Sequence, residues 1–170
     1  MRFAEYESPC GRLMLGVYGP GLFMCDWVTG GRIESSLHRI GKYLREREIH
    51  DDEMLLSRVV SMLDEYFAGK RKIFEIPTIT FGTEFQRRVW DELPKVSYGE
   101  TSTYSAIATA VDNPRGVRAV AAAIGTNPLS ILIPCHRIMG ADGSLTGYAG
   151  GIEAKRYLLR LERHYLDCQG

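Results

Sequence analysis

A thiol, an imidazole and a guanidinium follow one another at Cys135, His136 and Arg137, directly after an apolar run and a proline. A cysteine attacks as the thiolate, and a free thiol with a pKa of about 8.5 is only a few per cent ionised at neutral pH. A neighbouring base or cation raises that fraction. Two interpretations stay open from these residues alone: a small buried cysteine that only packs, or a reactive nucleophile.

A carboxylate that could serve this group lies in the last predicted helix, which runs from Ile152 to about Tyr165. Glu162 is four residues after Leu158 and three after Leu159, so it leans toward the apolar side of that helix. A buried carboxylate needs a hydrogen-bonding or charged partner, and His136 or an arginine could supply it. A Cys–His–Glu relay is therefore one hypothesis for these residues.

Composition limits the classes of protein that fit. The chain has 170 residues, of which 45% are hydrophobic, and this suits one large domain or two small ones. Its N-terminus lacks the apolar segment of a secretory signal, and no apolar run is long enough to cross a membrane. The four cysteines are widely spaced, which favours a reducing, cytoplasmic location over a disulfide framework and predicts no metal site.

The elements that must position the cysteine predict an α+β protein. Residues 2–28 are typical of an antiparallel meander, and helices are expected at Ile33–Arg45 and Asp51–Ala68. Residues 70–82 carry a basic turn, a proline and a glycine, which indicates a linker. We therefore expect an N-terminal domain over residues 1–81 and a mostly helical C-terminal domain over residues 82–170.

Two short predicted helices in the C-terminal half form a helix-turn-helix pattern. The first is capped by Ser102 or Thr103, and the second runs from Pro114 to about Ile124, with Pro114 in its first turn. The predicted inward stripe of the second helix is Val117, Val120, Ala121 and Ile124, and the outward stripe is Arg115, Arg118, Ala122 and Gly125.

That outward stripe of arginines and small residues favours contact with a phosphate backbone, although a merely solvated face is the alternative. The net charge of the chain is zero, so the global charge does not indicate a nucleic-acid binder. Locally, however, no acidic residue lies between Asp112 and Asp142, whereas Arg115, Arg118 and Arg137 do. The predicted partner is therefore DNA.

Several motifs in order resemble one family. The segment Pro134-Cys135-His136-Arg137 is similar to the active-site signature of the O6-alkylguanine-DNA alkyltransferases, and the resemblance covers about residues 82–163. The further matching segments are Gly82–Gln86, Val89-Trp90, Tyr98–Thr101 with Tyr104, Asn113-Pro114, Arg118–Val120, Asn127-Pro128, Gly147-Tyr148, Gly150-Gly151, Lys155 and Leu158–Glu162.

The resemblance implies single-turnover DNA repair, with transfer of an alkyl group from guanine O6, and possible action on thymine O4, to Cys135. It implies that His136 takes the thiol proton through a water, that Glu162 orients His136, and that Tyr104 helps extrude the base and assists the leaving guanine. Arg118 fills the gap left by the rotated base. It also implies a ribonuclease H-like N-terminal domain, a monomer, and binding to the minor groove of double-stranded DNA without a cofactor.

The remaining site residues come from the same resemblance. The expected DNA-binding residues are Arg118, Arg115, Asn127, Ala122 and Arg137, and the expected pocket residues are Tyr148, Ile138 and Ala149. Asn127 is expected to brace the turn between the reading helix and the active-site segment. The chain departs from the pattern of many relatives at Ala121, Ala122 and Ala149, and at Tyr98.

Three other functions are compatible with parts of the pattern. A non-catalytic protein that binds alkylated DNA and recruits other repair factors lacks the reactive cysteine. An unrelated cysteine hydrolase needs an oxyanion hole, which no segment indicates. A helix-turn-helix regulator needs base-reading side chains, and the second helix is poor in them.

Overall fold

The computed structural model describes residues 1–43 and 53–167, and its N-terminal half is built on a three-stranded antiparallel sheet. The strands are β1 (Arg2–Ser8), β2 (Gly11–Tyr18) and β3 (Gly21–Trp27), in that order. All of β3 is buried. The meander predicted for residues 2–28 is therefore present.

Two stretches of chain from outside the sheet cover the free edge of β3. Leu22 exchanges backbone hydrogen bonds with the 77–79 segment at 2.9 and 2.8 Å. Further along the strand, Cys25 N–H donates to Pro128 O at 2.8 Å and Cys25 O accepts from Ser130 N–H at 2.7 Å. A strand edge left open invites pairing with another chain. Here the backbone hydrogen bonds of Pro128 and Ser130 also connect the segment before Cys135 directly to the N-terminal sheet.

The helices of the N-terminal half are α1 (Arg32–Gly41) and α2 (Glu53–Phe67). Helix α2 contributes Leu56, Val59, Leu63 and Tyr66 to a core that also contains sheet residues. Gly69 ends the helix with a positive φ of 70°. Helix α1 ends at Gly41, before the predicted end at Arg45, which itself lies outside the described residues. The predicted caps of the second helix at Asp51 or Asp52 also lie outside them.

The C-terminal half contains four helices among the described residues, together with two short parallel strands. They are α3 (Glu84–Glu92), α4 (Tyr104–Ala110), α5 (Val117–Gly125) and α6 (Gly151–Asp167), with β4 (Ser102–Thr103) beside β5 (Ile138–Met139). Thr83 and Gln86 form the capping box of α3, and the Thr103 side chain caps α4. Helices α4 and α5 form the helix-turn-helix.

The start predicted for the second helix of this pair is wrong. Helix α5 begins at Val117, not at Pro114, because a turn closed by Gly116 N–H to Asn113 O at 2.9 Å occupies the preceding positions. The Asn113 side chain occupies the position that a Cβ on residue 116 would take, so glycine allows this close approach. The inward face is also adjusted: Val120, Ala123 and Ile124 are buried, while Val117 and Ala121 are half-buried.

Candidate active site

Cys135 lies in a single 3-10 turn, Cys135–Arg137, and its side chain is buried. The turn follows Ile131, whose φ of 73° is rare for a β-branched residue and marks local backbone strain. Asn127 holds this segment: its Nδ2 donates to Ile133 O at 2.8 Å and to Cys135 Sγ at 3.2 Å, and its Oδ1 accepts from Leu129 N–H at 3.0 Å. The Cys135 sulfur is thus held by an amide just after the end of α5.

The carboxylate of Glu162 is the centre of a buried polar cluster. His136 Nε2 lies 2.8 Å from Oε1, and Arg137 donates from Nε to Oε2 at 2.9 Å and from Nη2 to Oε1 at 3.0 Å. The Tyr66 hydroxyl donates to Oε1 at 2.7 Å, and Gly99 N–H donates to Oε2 at 2.9 Å. The predicted contact between Glu162 and His136 is present, and every donor stabilises the charged carboxylate.

Burial and these partners set the protonation states of the three groups. Burial raises the pKa of Glu162, but the hydrogen bonds and charges of His136 and Arg137 outweigh it and bring the pKa well below its usual range. Burial lowers the pKa of His136, and Glu162 opposes this only in part. Burial raises the pKa of the Cys135 thiol against the hydrogen bond from Asn127. At neutral pH the site therefore holds a thiol, a neutral imidazole and a carboxylate.

This arrangement can activate a thiol by general-base catalysis. With Nε2–H donated to Glu162, the lone pair of His136 lies on Nδ1, a tautomer inferred from the hydrogen bond. Nδ1 is buried and has no hydrogen-bond partner among the described residues. It is the atom free to accept the proton of Cys135, and Glu162 stabilises the imidazolium that results.

A glycine-rich loop, residues 140–150, connects β5 to α6 and is tied to the site by a buried lysine. Lys155 Nζ donates to Ile138 O and, at 3.0 Å, to Thr146 O, which also accepts from the Tyr104 hydroxyl at 3.0 Å. Burial lowers the pKa of Lys155. Tyr104 and Ile138 are thus brought to one loop, as expected for residues around a base pocket, and Lys155 links them.

The other two predicted pocket residues contact the N-terminal half. The Tyr148 hydroxyl accepts a hydrogen bond from Trp27 Nε1 at 3.2 Å, and its ring centroid lies 6.4 Å from that of His136. Ala149 O accepts from the Thr29 hydroxyl at 3.3 Å. The positions of Tyr148 and Ala149 beside His136 therefore depend on residues of the sheet half.

Most of the predicted outward stripe is exposed on α5, where Arg118, Ala122 and Gly125 face solvent. Arg115 is also exposed, but it lies in the turn before the helix, and neither arginine makes a hydrogen bond or ion pair within residues 1–43 and 53–167. A surface with two available cations and small neighbours allows close approach of a phosphate backbone. This surface is separate from the buried cluster around Glu162.

Two residues predicted to bind DNA are placed elsewhere. Arg137 has a side-chain exposure of only 7%, and its guanidinium is occupied by Glu162 and by Val96 O at 2.7 Å. Asn127 is 1% exposed and acts as the predicted brace, not as a surface contact. The internal hydrogen bonds of both residues hold their polar groups away from the surface, so neither side chain lies on the exposed face that carries Arg118.

Sequence reasoning did not identify the contributions of Arg32 and Tyr66. Arg32 Nη1 donates to Gly125 O at 3.1 Å and Nη2 to Asn127 O at 3.3 Å, while Nε is paired with the buried Asp26 at 2.6 Å. The only sequence signal was Asp26 inside an apolar strand, since a buried carboxylate requires a cation or donors. Among the described residues, no group of three or more His, Cys, Asp or Glu side chains could hold a metal ion.

Two family models match the chain in succession. The ribonuclease-like domain of 6-O-methylguanine DNA methyltransferase matches residues 1–80, and the DNA binding domain of the same protein matches residues 84–164. The chain belongs to the 6-O-methylguanine DNA methyltransferase family. The ribonuclease-like N-terminal domain expected from the sequence is therefore confirmed, as is the α+β fold class.

Individual members of the family match over nearly the whole chain. A methylated-DNA–protein-cysteine methyltransferase from Haemophilus influenzae is 39% identical, over 97% of this chain and 88% of its own length. A second, from Mycobacterium tuberculosis H37Rv, is 47% identical, over 96% of this chain and 93% of its own length. A crystal structure of M. tuberculosis OGT in complex with DNA superposes with a TM-score of 0.79 at 36% identity, covering 96% of this chain and 93% of that one.

No helix among residues 1–43 and 53–167 is both long and apolar enough to cross a bilayer.

Proposed function

We propose that this chain is a methylated-DNA–protein-cysteine methyltransferase, which repairs DNA by moving an alkyl group from guanine O6 to Cys135. The observation that carries the proposal is the buried pair of His136 and Glu162, with Nε2 at 2.8 Å from the carboxylate, next in the chain to the buried Cys135. Family membership and the names of the relatives support it.

The relay supports the following bond changes. His136 takes the Cys135 proton through a water, and the sulfur attacks the alkyl carbon of the lesion. A carbon–sulfur bond forms, the carbon–oxygen bond breaks, and its electron pair returns to the guanine. Guanine then leaves as a neutral base after it gains one proton, assisted by the Tyr104 hydroxyl, and His136 returns to its neutral form.

DNA reaches the site through α5. Arg118 enters the duplex from the minor groove and occupies the space of the rotated guanine, while Arg115 contacts phosphate and Ala122 allows close approach. The rotated base lies against Tyr148 and backbone groups of Cys135, Ile138 and Ala149. The exposure of the outward stripe of α5 and the DNA complex of the M. tuberculosis relative support this arrangement.

The product is a thioether, and no second catalytic group among the described residues is placed to cleave it. The protein therefore acts once per molecule, as a monomer and without a cofactor, and we propose the cytoplasm as its location. We also propose the division into domains 1–81 and 82–170, with a core that the two domains share.

A labelled duplex tests the proposal. The protein is incubated with double-stranded DNA that carries an O6-[methyl-labelled] guanine, and the label is followed by peptide mapping. We expect the label on the peptide containing Cys135, at no more than one per molecule. Binding without transfer favours the non-catalytic recruiter, and multiple turnover contradicts the stoichiometric mechanism.

A further inference from the structure

The buried carboxylate at the centre of the site accepts a hydrogen bond from a residue in the N-terminal half of the molecule. Tyr66 lies on α2 in the N-terminal half, is 0% exposed, and donates to Glu162 Oε1 at 2.7 Å. The same oxygen accepts from His136 Nε2 at 2.8 Å and from Arg137 Nη2 at 3.0 Å. Three donors therefore share the oxygen that holds the catalytic imidazole.

We propose that Tyr66 is a positioning residue for alkyl transfer, which sets the orientation and basicity of His136 through the shared oxygen of Glu162. This inference deepens the proposed function and rests on it. It gives the N-terminal half an indirect part in the chemistry, through Glu162, although that half does not contain the nucleophile or the proton acceptor.

The physical basis is competition for one acceptor. A hydroxyl that donates to Oε1 withdraws negative charge from the hydrogen bond to His136 Nε2. Without that hydroxyl, the carboxylate becomes more basic and stabilises the imidazolium more strongly. His136 then binds a proton at higher pH, and less of it is neutral and able to accept the proton of Cys135 under mildly acidic conditions.

The Tyr66 ring is held rigidly, so its hydroxyl has one direction. Its centroid lies 5.3 Å from that of Phe67, 5.6 Å from Phe74 and 6.1 Å from Tyr98, at steep or tilted angles. Aromatic packing of this kind restricts the orientation of the ring and therefore of the hydroxyl that it carries. The hydroxyl therefore also fixes the carboxylate plane against which the imidazole is aligned.

Other ionisable groups face the pair but are unchanged by a substitution at position 66. They come from the 3-10 turn, the loop before β4, the glycine-rich loop and α6, and they are Cys135, Arg137, Tyr98, Tyr148 and Lys155. Arg137 and Lys155 both lower the pKa of His136. Because these contributions stay constant, a difference between the wild type and a Tyr66 variant reports the hydroxyl alone.

The test is Tyr66→Phe with single-turnover transfer measured from pH 5 to 9. We expect the acidic limb of the rate profile to move to higher pH by about half a unit, while the rate at high pH stays within about threefold. The amount of alkyl group transferred at completion measures the fraction of folded, active protein, so it separates misfolding from a change in rate.

Tyr6→Phe is the matched control. Tyr6 also donates to a carboxylate on another element, Asp64 Oδ1 at 2.8 Å, and belongs to the same core cluster as Tyr66, but it does not contact Glu162. We expect the acidic limb of the rate profile of Tyr6→Phe to coincide with that of the wild type. If Tyr66→Phe leaves the limb in place, or lowers the rate equally at every pH as a purely structural change would, the inference is overturned.

A second measurement is independent of the reaction. The pKa of His136 is determined by NMR titration of the free protein, with its signal assigned by its loss in His136→Gln. A higher pKa in Tyr66→Phe than in the wild type and Tyr6→Phe supports the inference, and an equal pKa overturns it. If the wild type transfers no label, the proposed function fails, and this titration still decides whether Tyr66 controls the basicity of His136.

Discussion

Arg118 and Arg137 lie in the same stretch without acidic residues, yet the fold uses them in opposite ways. Arg118 is exposed on α5, whereas Arg137 is buried with two of its nitrogens on Glu162 and the third on Val96 O. A stretch of sequence that contains arginines and no acidic residues therefore does not define a positively charged surface. Whether a cation is offered to DNA or bound internally depends on whether a carboxylate from a distant element reaches it.

The contrast separates two kinds of mutational effect. Removal of one partner from a buried charge pair leaves the other uncompensated, at a cost of about 3–5 kcal/mol. Removal of an exposed arginine changes stability by about 0.5 kcal/mol or less. Changes in the Glu162 cluster should therefore affect folding and chemistry together, while changes on the outer face of α5 should affect only DNA.

The largest effect is expected from Arg137→Ala. It leaves Glu162 without its bidentate partner, so the free energy of unfolding should fall by about 3–5 kcal/mol in urea denaturation. Arg118→Ala is the control in the same assay and should lie within about 0.5 kcal/mol of the wild type. Equal losses in the two variants would remove the distinction between the two arginines.

The contrast also explains how much could be predicted from the sequence. The strands, a cap at Ser102 or Thr103 and most of the outward stripe of α5 depend on residues a few positions apart, and they were predicted. Glu162 was predicted to lean inward from its spacing to Leu158 and Leu159 on one helix. Its partner Tyr66 was not, because the two residues are 96 positions apart and no local pattern marks their contact.

A smaller effect is expected from Glu162→Gln, which acts on the chemistry and, because it removes the charge paired with the buried Arg137, also on stability. The amide keeps the size of the side chain but removes the charge that stabilises the His136 imidazolium, so transfer should slow by about a hundredfold. Single-turnover kinetics on an O6-methylguanine duplex measure the rate, and a DNA-binding titration should give an unchanged affinity. A rate close to that of the wild type would exclude Glu162 from the relay.

Arg118→Ala should affect duplex DNA selectively. Without a side chain to occupy the space of the rotated guanine, extrusion costs more, and transfer from duplex should slow by roughly tenfold to a hundredfold. Transfer from the free O6-alkylguanine base needs no extrusion and should be unaffected. A parallel loss on both substrates would show that Arg118 acts on the buried site and not at the DNA surface.

Acid should weaken the buried cluster but not the exposed face. The folded pKa of Glu162 is depressed below the unfolded value of about 4.3, so its contribution to stability is present above that pH and is lost as pH falls toward the folded value. The folded pKa of His136 is also lowered, so its protonation below about pH 6.5 favours the unfolded chain in the same direction. The urea midpoint should therefore fall more steeply with acid in the wild type than in Glu162→Gln. Parallel curves for the two proteins would contradict the depressed pKa of Glu162.

The smallest effect is expected from Arg115→Ala, which tests whether the turn before α5 contacts phosphate beside the outer face of the helix. Loss of one phosphate contact should weaken binding to damaged and undamaged duplexes alike and reduce the slope of log affinity against log salt by about one. Arg12→Ala is the control, because Arg12 lies on β2 and pairs with Glu5 and Glu7 on the neighbouring strand. Its salt slope should match the wild type. If Arg115→Ala keeps the full slope, Arg115 does not contact phosphate, and DNA binding through this face would depend on Arg118 and the helix backbone alone.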